Sequence, residues 1–494
     1  MKSNGCINNN TYLLIAMSIL LLSYSLRVIG LTSESLWIDE GYSLALATCN
    51  IKEIVRGTAA DQHPPLYYLL LHLWLLGGQS VFFLRYFSVL IGVVGVASTI
   101  LLGQSLLGPK IGLLTGFLLA CSPMHIWYSQ EARMYILLSL QTTLSVYGFW
   151  RLISNSDRAS FYIYFLSTLG ALYTHYFAVF IVIVENLISL GWMLRKKGKI
   201  FKKWVGIQGV IVAAFIPWLP IALYQALYHR MRWISPPTAE TVLNTLLLMV
   251  FGDSHKQVPY LISLVGGALF TTGVCWGIWQ ALKDKTQFFQ LIFIGLWFFC
   301  PLLIIIIISL RYPVFQYKQM LIFVPPILML IASGLAKLPT AQRWITMGVM
   351  GVFVINSLVN LYTLNTKHGW REAAIYIEAN YRPGDLVYLN PAAGALVIKV
   401  YTKRWLPIDG YPPGYDVVKG GWEGNLVTAE IADGIMRSYS NRYNRIWLIE
   451  FTPYFWDPNS FFTTWLESHG QLIADQQFRG IRVRLYELDK ATIP

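Results

Sequence analysis

The stretch His63-Pro64-Pro65-Leu66-Tyr67-Tyr68-Leu69-Leu70-Leu71-His72-Leu73-Trp74-Leu75-Leu76 decides how the chain is threaded. Its apolar part, 66–76, is too short to cross roughly 30 Å of hydrocarbon at about 1.5 Å per residue. It follows two prolines that fix an extended approach to a helix, so it reads as an interfacial or re-entrant helix. Around it lie longer apolar runs at 12–30, 82–107, 111–126, 134–153, 160–174, 176–194, 204–223, 259–282, 287–310, 319–337 and 343–363. Read as membrane spans, they number about eleven.

Charge tests that reading, because Lys and Arg accumulate in alternate short loops on the cytoplasmic side. With the N-terminus inside, the inner loops hold Lys110, then Arg151 and Arg158, then the run Arg195-Lys196-Lys197-Gly198-Lys199-Ile200-Phe201-Lys202-Lys203, then Lys283 and Lys285, then Lys337 and Arg343. Counting 66–76 as a full span would invert every later loop and place the strongest basic run outside. The outer face then receives 31–65, 127–133, the Tyr173-Thr174-His175-Tyr176 corner, 224–258, 311–318 and everything after about 363.

Composition agrees with a membrane protein. Of 494 residues 55% are apolar and 13% charged, and mean hydropathy is +0.50, values that exclude an ordinary soluble domain. The 18 Trp and 29 Tyr suit headgroup belts and also sugar binding. A net charge of +13 sits largely in the short loops, where it sets topology rather than recruiting nucleic acid. The cysteines Cys6, Cys49, Cys121, Cys275 and Cys300 have no paired spacing and predict neither disulfides nor a zinc site. The first run is longer than a signal h-region, lacks a cleavage site close behind it and is expected to remain as an anchor.

After residue 363 the pattern changes. Segments 385–389, 445–451 and 481–487 alternate as strands do, 370–378 and 461–467 look helical, and Arg382-Pro383-Gly384-Asp385 and Tyr411-Pro412-Pro413-Gly414 are turn signals. The expected organisation is a transmembrane catalytic domain over 1–363, with 31–65 as first outer loop and 66–76 as interfacial helix, and a soluble α/β domain over 364–494.

Candidate chemistry gathers on the outer face. Asp39 and Glu40, in Leu36-Trp37-Ile38-Asp39-Glu40-Gly41-Tyr42, put two carboxylates near the membrane surface; they suit a general base for a hydroxyl acceptor, and equally a helix N-terminus. His63 is aimed at a helix N-terminal end, which favours anions, and Arg85 falls near the outer end of the second span. Tyr128, Glu131 and Arg133 lie in the aromatic loop Trp127-Tyr128-Ser129-Gln130-Glu131-Ala132-Arg133-Met134-Tyr135; ionisable groups at a membrane boundary suggest a site, and a local ion pair is the plainer reading. His175 at the next outer corner fits an interfacial hydrogen-bonding residue. Arg311, Tyr312 and Lys318, in Arg311-Tyr312-Pro313-Val314-Phe315-Gln316-Tyr317-Lys318, suit a lipid phosphate or headgroup snorkelling.

As a set, Asp39-Glu40, His63-Pro64-Pro65-Leu66-Tyr67-Tyr68, Leu84-Arg85-Tyr86-Phe87-Ser88, Tyr128-Ser129-Gln130-Glu131-Ala132-Arg133-Met134-Tyr135 and Arg311-Tyr312-Pro313 resemble the membrane glycosyltransferases of the GT-C superfamily, close to the protein O-mannosyltransferase (PMT-like) and aminoarabinose transferase group. The likeness covers residues 1 to about 340. Trp370-Arg371-Glu372-Ala373-Ala374 followed by Pro383-Gly384-Asp385 resembles the soluble tail of bacterial members. The resemblance implies a polytopic GT-C fold in the cell membrane, N-terminus cytoplasmic and tail extracytoplasmic. It implies an inverting transfer of a monosaccharide from a polyprenyl-phosphate donor to a lipid, glycan or protein acceptor. Asp39 would be the base, Glu40 would orient the acceptor or a cation, and Glu131 would assist at the donor sugar. His63, Arg85, Arg133, Arg311 and Lys318 would hold the lipid phosphate as charge grows on it. Glu131 departs from the family, where an Asp is usual. No obligatory metal is expected, with a divalent cation as an option.

Two other classes compete. An O-antigen-type ligase or polymerase would grip a pyrophosphate donor through arginines of one large outer loop, and 224–258 does carry Arg230 and Arg232; the polar groups here are spread over several loops instead. A secondary transporter would place its polar site at the midplane of repeated halves, and no repeat is visible.

Overall fold

The computed structural model describes residues 8–154, 157–193, 199–228, 234–253, 260–284, 287–364, 366–420 and 425–491. The helices in the first half are α1 (Asn9–Val28), α2 (Ile38–Ala47), α3 (Ile51–Ala60), α4 (Leu66–Leu75), α5 (Val81–Leu107), α6 (Pro109–Ala120), α7 (Pro123–Ser129), α8 (Tyr135–Ser154), α9 (Arg158–Thr174), α10 (Ala178–Met193) and α11 (Lys199–Phe215). They are followed by α12 (Leu219–Tyr228), α13 (Ala239–Phe251), α14 (Tyr260–Lys283), α15 (Phe288–Arg311), α16 (Val324–Lys337) and α17 (Thr340–Thr363), with a 3-10 segment at Tyr317–Phe323 before α16. The chain forms two compact units: Met1–Leu31, Gln62–Leu70 and Phe82–Leu364 make the first; Thr32–Asp61, Leu71–Val81 and Asn365–Pro494 make the second.

The first unit is helical. Among the described residues five helices are long and apolar enough to cross a membrane, Asn9–Val28, Val81–Leu107, Phe288–Arg311, Tyr317–Lys337 and Thr340–Thr363, or up to seven if two bent pairs each count as one span. That count is of the described residues alone, and several of the eleven runs differ in form from one straight apolar helix. Helix α8 is as long as α1 but carries Ser139, Gln141, Thr142, Thr143 and Ser145, and α9 and α10 have 17 and 16 residues. The run read as one span over 111–126 is broken after Ala120, and α6 and α7 meet at 62°. Consequently Trp127, Tyr128 and Ser129, expected in a loop, are the last turn of α7. The run 204–223 is also bent, by 73° between α11 and α12. Arg195–Gly198 of the basic run, Lys285, Arg230, Arg232 and Cys6 lie outside the described residues.

Apolar side chains such as Leu14, Met17 and Leu21 on α1 and Leu303, Ile307 and Leu310 on α15 are exposed, as hydrocarbon solvent permits. Small residues let helices approach: a Cβ on Gly103 of α5 would sit 2.8 Å from Gly112 Cα of α6, the close backbone contact by which helices pack where lipid removes the hydrophobic drive.

The second unit has a five-stranded sheet of β1 (Asp385–Asn390), β2 (Ile408–Gly410), β3 (Arg445–Glu450), β4 (Gly470–Phe478) and β5 (Ile481–Leu488), in the order β2-β1-β3-β5-β4. Strands β1, β2 and β3 run parallel, and β5 is antiparallel to β3 and β4. The segments read as strands at 385–389, 445–451 and 481–487 are β1, β3 and β5. Every residue of β1 and β3 is buried, as expected of strands covered on both faces. Leu386, Tyr388, Ile446, Leu448 and Tyr486 pack in one cluster with Met436 of α20 (Ala429–Ser440) and Phe462 and Leu466 of α21 (Phe461–His469). At the start of the sheet Arg445 grips buried Asp385 bidentately, at 2.9 and 2.7 Å, the strong geometry for a guanidinium and a carboxylate. Helices α18 (Trp370–Asn380) and α19 (Ala395–Tyr401) complete this unit.

Candidate active site

In the second unit the two acids open α2 and have different surroundings. Glu40 is fully buried. Its Oε2 accepts from the Trp37 backbone N–H at 3.1 Å and lies 3.0 Å from Lys367 Nζ. Lys367 is itself buried, with Trp37's ring 5.8 Å from its ammonium. Asp39, one residue earlier in the first turn, is half-buried, and a helix N-terminus stabilises its anionic form.

The segment before α2 is threaded into the tail. Glu34 accepts from the backbone N–H groups of Thr366 and Lys367, the latter at 3.0 Å. Arg371 reaches the Thr32 carbonyl at 2.9 Å, and Leu36 N–H donates to Tyr401 Oη at 2.8 Å. Behind Asp39, Gly41 permits α2 to press on α19: a Cβ there would come within 2.8 Å of Val397 Cγ2. The acids thus stand on a segment tied at several points to residues more than 300 positions later.

The first unit brings together most of the remaining candidates. His63 and His175 are buried, their ring centroids 5.3 Å apart at 35°. His175 also meets Tyr135 at 6.0 Å, and Tyr135 meets buried Tyr128 edge-on at 5.6 Å. Arg133 is buried and donates from Nη1 to Tyr68 Oη at 3.1 Å, while its backbone N–H closes a tight turn onto the Glu131 carbonyl at 2.8 Å. Glu131 is buried in the same turn.

The electrostatics are those of a positive cluster. Burial pushes His63 well below the usual imidazole range, and His175, Arg133 and Lys318 push the same way. His175 is pushed down to about 3 by burial and then by Arg133. Both rings are therefore neutral at neutral pH. His175 Nδ1 accepts from the Phe177 N–H at 3.1 Å, which puts its proton on Nε2. That Nε2 is buried and has no hydrogen-bond partner among the described residues. A buried donor left unpaired is costly, and here it stands close enough to the Arg133 guanidinium to feel its charge.

Two further candidates lie on α5 and at the end of α15. Arg85 is buried and donates to the Leu31 carbonyl at 2.8 Å, tying α5 to the end of α1. Arg311 is exposed at the end of α15, 5.3 Å from the centroid of the exposed Tyr312 ring. Sequence reading does not single out Lys367, whose partner is distant in the chain and which no local pattern marks.

Solved structures settle the fold. The apo-state crystal structure of ArnT from Cupriavidus metallidurans matches with a TM-score of 0.65 over 98% of this chain and 99% of that one, at 12% identity. This chain has the ArnT fold. The undecaprenyl-phosphate-bound form of the same ArnT matches at 0.64 and 12% identity, over 99% and 100% of the two chains. The Archaeoglobus fulgidus oligosaccharyltransferase in complex with Zn and sulfate matches at 0.52 and 11%, over 97% of this chain and 74% of that one. No protein-family model matches the sequence, and no curated protein does. At 12% identity the likeness is one of fold.

Proposed function

We propose that this chain is a membrane glycosyltransferase that moves a monosaccharide from a polyprenyl-phosphate donor to a lipid, glycan or protein acceptor on the extracytoplasmic face, with inversion. The observation that carries the reading is the buried cluster of His63, His175 and Arg133, whose His175 Nε2–H has no partner among the described residues, on a fold shared with an ArnT that binds undecaprenyl phosphate.

A leaving lipid phosphate gains charge as the glycosidic bond breaks, and prearranged donors that meet that charge lower the barrier. Arg133 offers a fixed guanidinium, Lys318 a point charge, and His63 and His175 neutral N–H donors that need no proton from solvent. Asp39 takes the proton of the acceptor hydroxyl; it is the acid that remains half-exposed while Glu40 is engaged by Lys367. Glu40 fixes the turn that presents Asp39, and Glu131 assists at the donor sugar. Arg85 holds the end of α1, and Arg311 and Tyr312 meet lipid headgroups at the rim.

The reaction needs no obligatory metal in this account, because cationic side chains supply the charge. The topology that goes with it has about eleven crossings of the cell membrane, with the N-terminus cytoplasmic and the tail extracytoplasmic. The test is reconstitution in proteoliposomes with extracts of lipid-linked sugars, separated by carrier. Consumption of a monophosphate-linked sugar supports the reading. Exclusive use of pyrophosphate-linked donors would move the protein to the ligase class, and ion-driven solute flux without transfer to the transporters.

A further inference from the structure

Arg27 lies in the last turn of α1, fully buried among apolar helices. Its guanidinium has five N–H donors, and all five are used. Nε donates to Ser129 Oγ at 3.1 Å; Nη1 donates to the Ser23 and Ala120 carbonyls at 2.9 and 3.0 Å; Nη2 donates to the Leu119 carbonyl at 3.3 Å and to His125 Nδ1 at 2.7 Å. Leu119 and Ala120 are the last residues of α6. Arg27 thus satisfies the Ala120 carbonyl left open where the span breaks between α6 and α7, and adds a donor to the Leu119 carbonyl, which also accepts from the Ser122 N–H at 3.2 Å, at a helix end that needs partners where water is absent.

The reverse exchange comes from Gln130. Its Nε2 donates to the Arg27 carbonyl at 3.0 Å and the Ile29 carbonyl at 2.7 Å, which close the end of α1. Each segment therefore caps the other's helix end. Gly92 of α5 leaves the room for this: a Cβ there would collide with Ser129 Oγ and lie 3.2 Å from Arg27 Nε. Ser129 and Gln130 lead directly into the Glu131–Arg133 turn.

We infer that Arg27 and Gln130 form a reciprocal cap that positions Arg133 and Glu131 for the lipid phosphate and donor sugar, acting through the 129–133 turn. This rests on the phosphate-binding reading of Arg133 given above. Arg27 touches no substrate; it is a positioning residue, and lysine, with one compact charge, cannot make its five-way contact.

The experiment compares the full chain in nanodiscs with Arg27→Lys, Gln130→Met and Tyr362→Phe. The last also loosens α1, because the Tyr362 hydroxyl donates to the Leu26 carbonyl, but it does not touch the turn. Three readouts are taken: undecaprenyl phosphate affinity, melting temperature and hydrogen exchange of amides 129–134. Arg27→Lys and Gln130→Met are expected to weaken affinity about tenfold, the worth of one charge-assisted hydrogen bond, and to speed exchange of the turn, while Tyr362→Phe lowers melting temperature alone. If Arg27→Lys does not accumulate, Gln130→Met, which spares the guanidinium's partners, carries the test. Affinity that falls only in step with melting temperature in all three variants overturns the inference, as does unchanged exchange at 129–134. If the parent chain fails to bind undecaprenyl phosphate, the donor reading fails instead, and the exchange result still decides the cap.

Discussion

Lys367 Nζ lies 3.0 Å from Glu40 Oε2, joining residues 327 positions apart with both side chains buried. Removing one member of a buried pair leaves an uncompensated charge and costs about 3–5 kcal/mol, whereas replacing both by apolar groups is often neutral. Lys367→Met is therefore expected to lower the melting temperature sharply and to abolish transfer. Glu40→Leu combined with Lys367→Met should recover most of the stability. A double-mutant cycle on thermal unfolding measures the coupling; additive losses would mean the pair holds nothing.

His175→Phe separates binding from folding. The substitution deletes a buried Nε2–H that no described residue satisfies, and with it the Nδ1 that accepts from the Phe177 N–H; the gain and the loss oppose each other, so stability should change by no more than about 1–2 kcal/mol. Undecaprenyl phosphate affinity should fall about tenfold, the loss of one hydrogen bond to a charged group. Parallel melting and binding measurements decide it, and equal affinity in the variant would remove His175 from the phosphate site.

Acid should weaken the first unit. His63 and His175 are held below the ordinary imidazole range, so between roughly pH 6.5 and the folded-state value the unfolded chain binds protons that the folded chain refuses, and stability falls as pH falls. For His175 this window extends down to about 3. Well above that range both states are neutral at these rings and the effect vanishes. Melting curves taken from neutral to mildly acidic pH should show the slope, and His175→Phe should reduce it.

Gly41→Ala tests how closely Asp39's helix must sit. A Cβ would meet Val397 Cγ2 at 2.8 Å, an overpacking worth about 1–3 kcal/mol. Transfer should drop more than stability, and Gly41→Ala with Val397→Ala should restore it. Chelation with EDTA should leave the parent's activity intact.

Much of the fold can be read from composition and period because lipid enforces long apolar runs, and β1, β3 and β5 because they alternate or are wholly apolar between turns. The breaks after Ala120 and Phe215 are harder to read, since in each case the apolar run continues through the bend and only Ser122-Pro123 and Pro217 mark it; after Ala120 the open carbonyl of that residue is satisfied by Arg27, far away in the chain. A lone arginine in the apolar run 12–30 is nevertheless a visible signal that something polar waits inside. Within the candidate site, His63, His175 and the pair Tyr128 and Arg133 come from three separate motifs and lie near one another in space. Glu40 is different: as an acid beside Asp39 it looks equivalent in sequence, and only the distant Lys367 distinguishes the two. Long-range pairing of single residues leaves no periodicity to read.

The central claim is that Asp39 activates the acceptor hydroxyl for attack on a polyprenyl-phosphate sugar. Proteoliposomes bearing the parent or Asp39→Asn, an isosteric change that removes the base, should be compared for consumption of the lipid-linked sugar and for binding of undecaprenyl phosphate. The account predicts transfer lowered by about two to four orders of magnitude with phosphate binding unchanged; transfer at the parental rate in Asp39→Asn would contradict it.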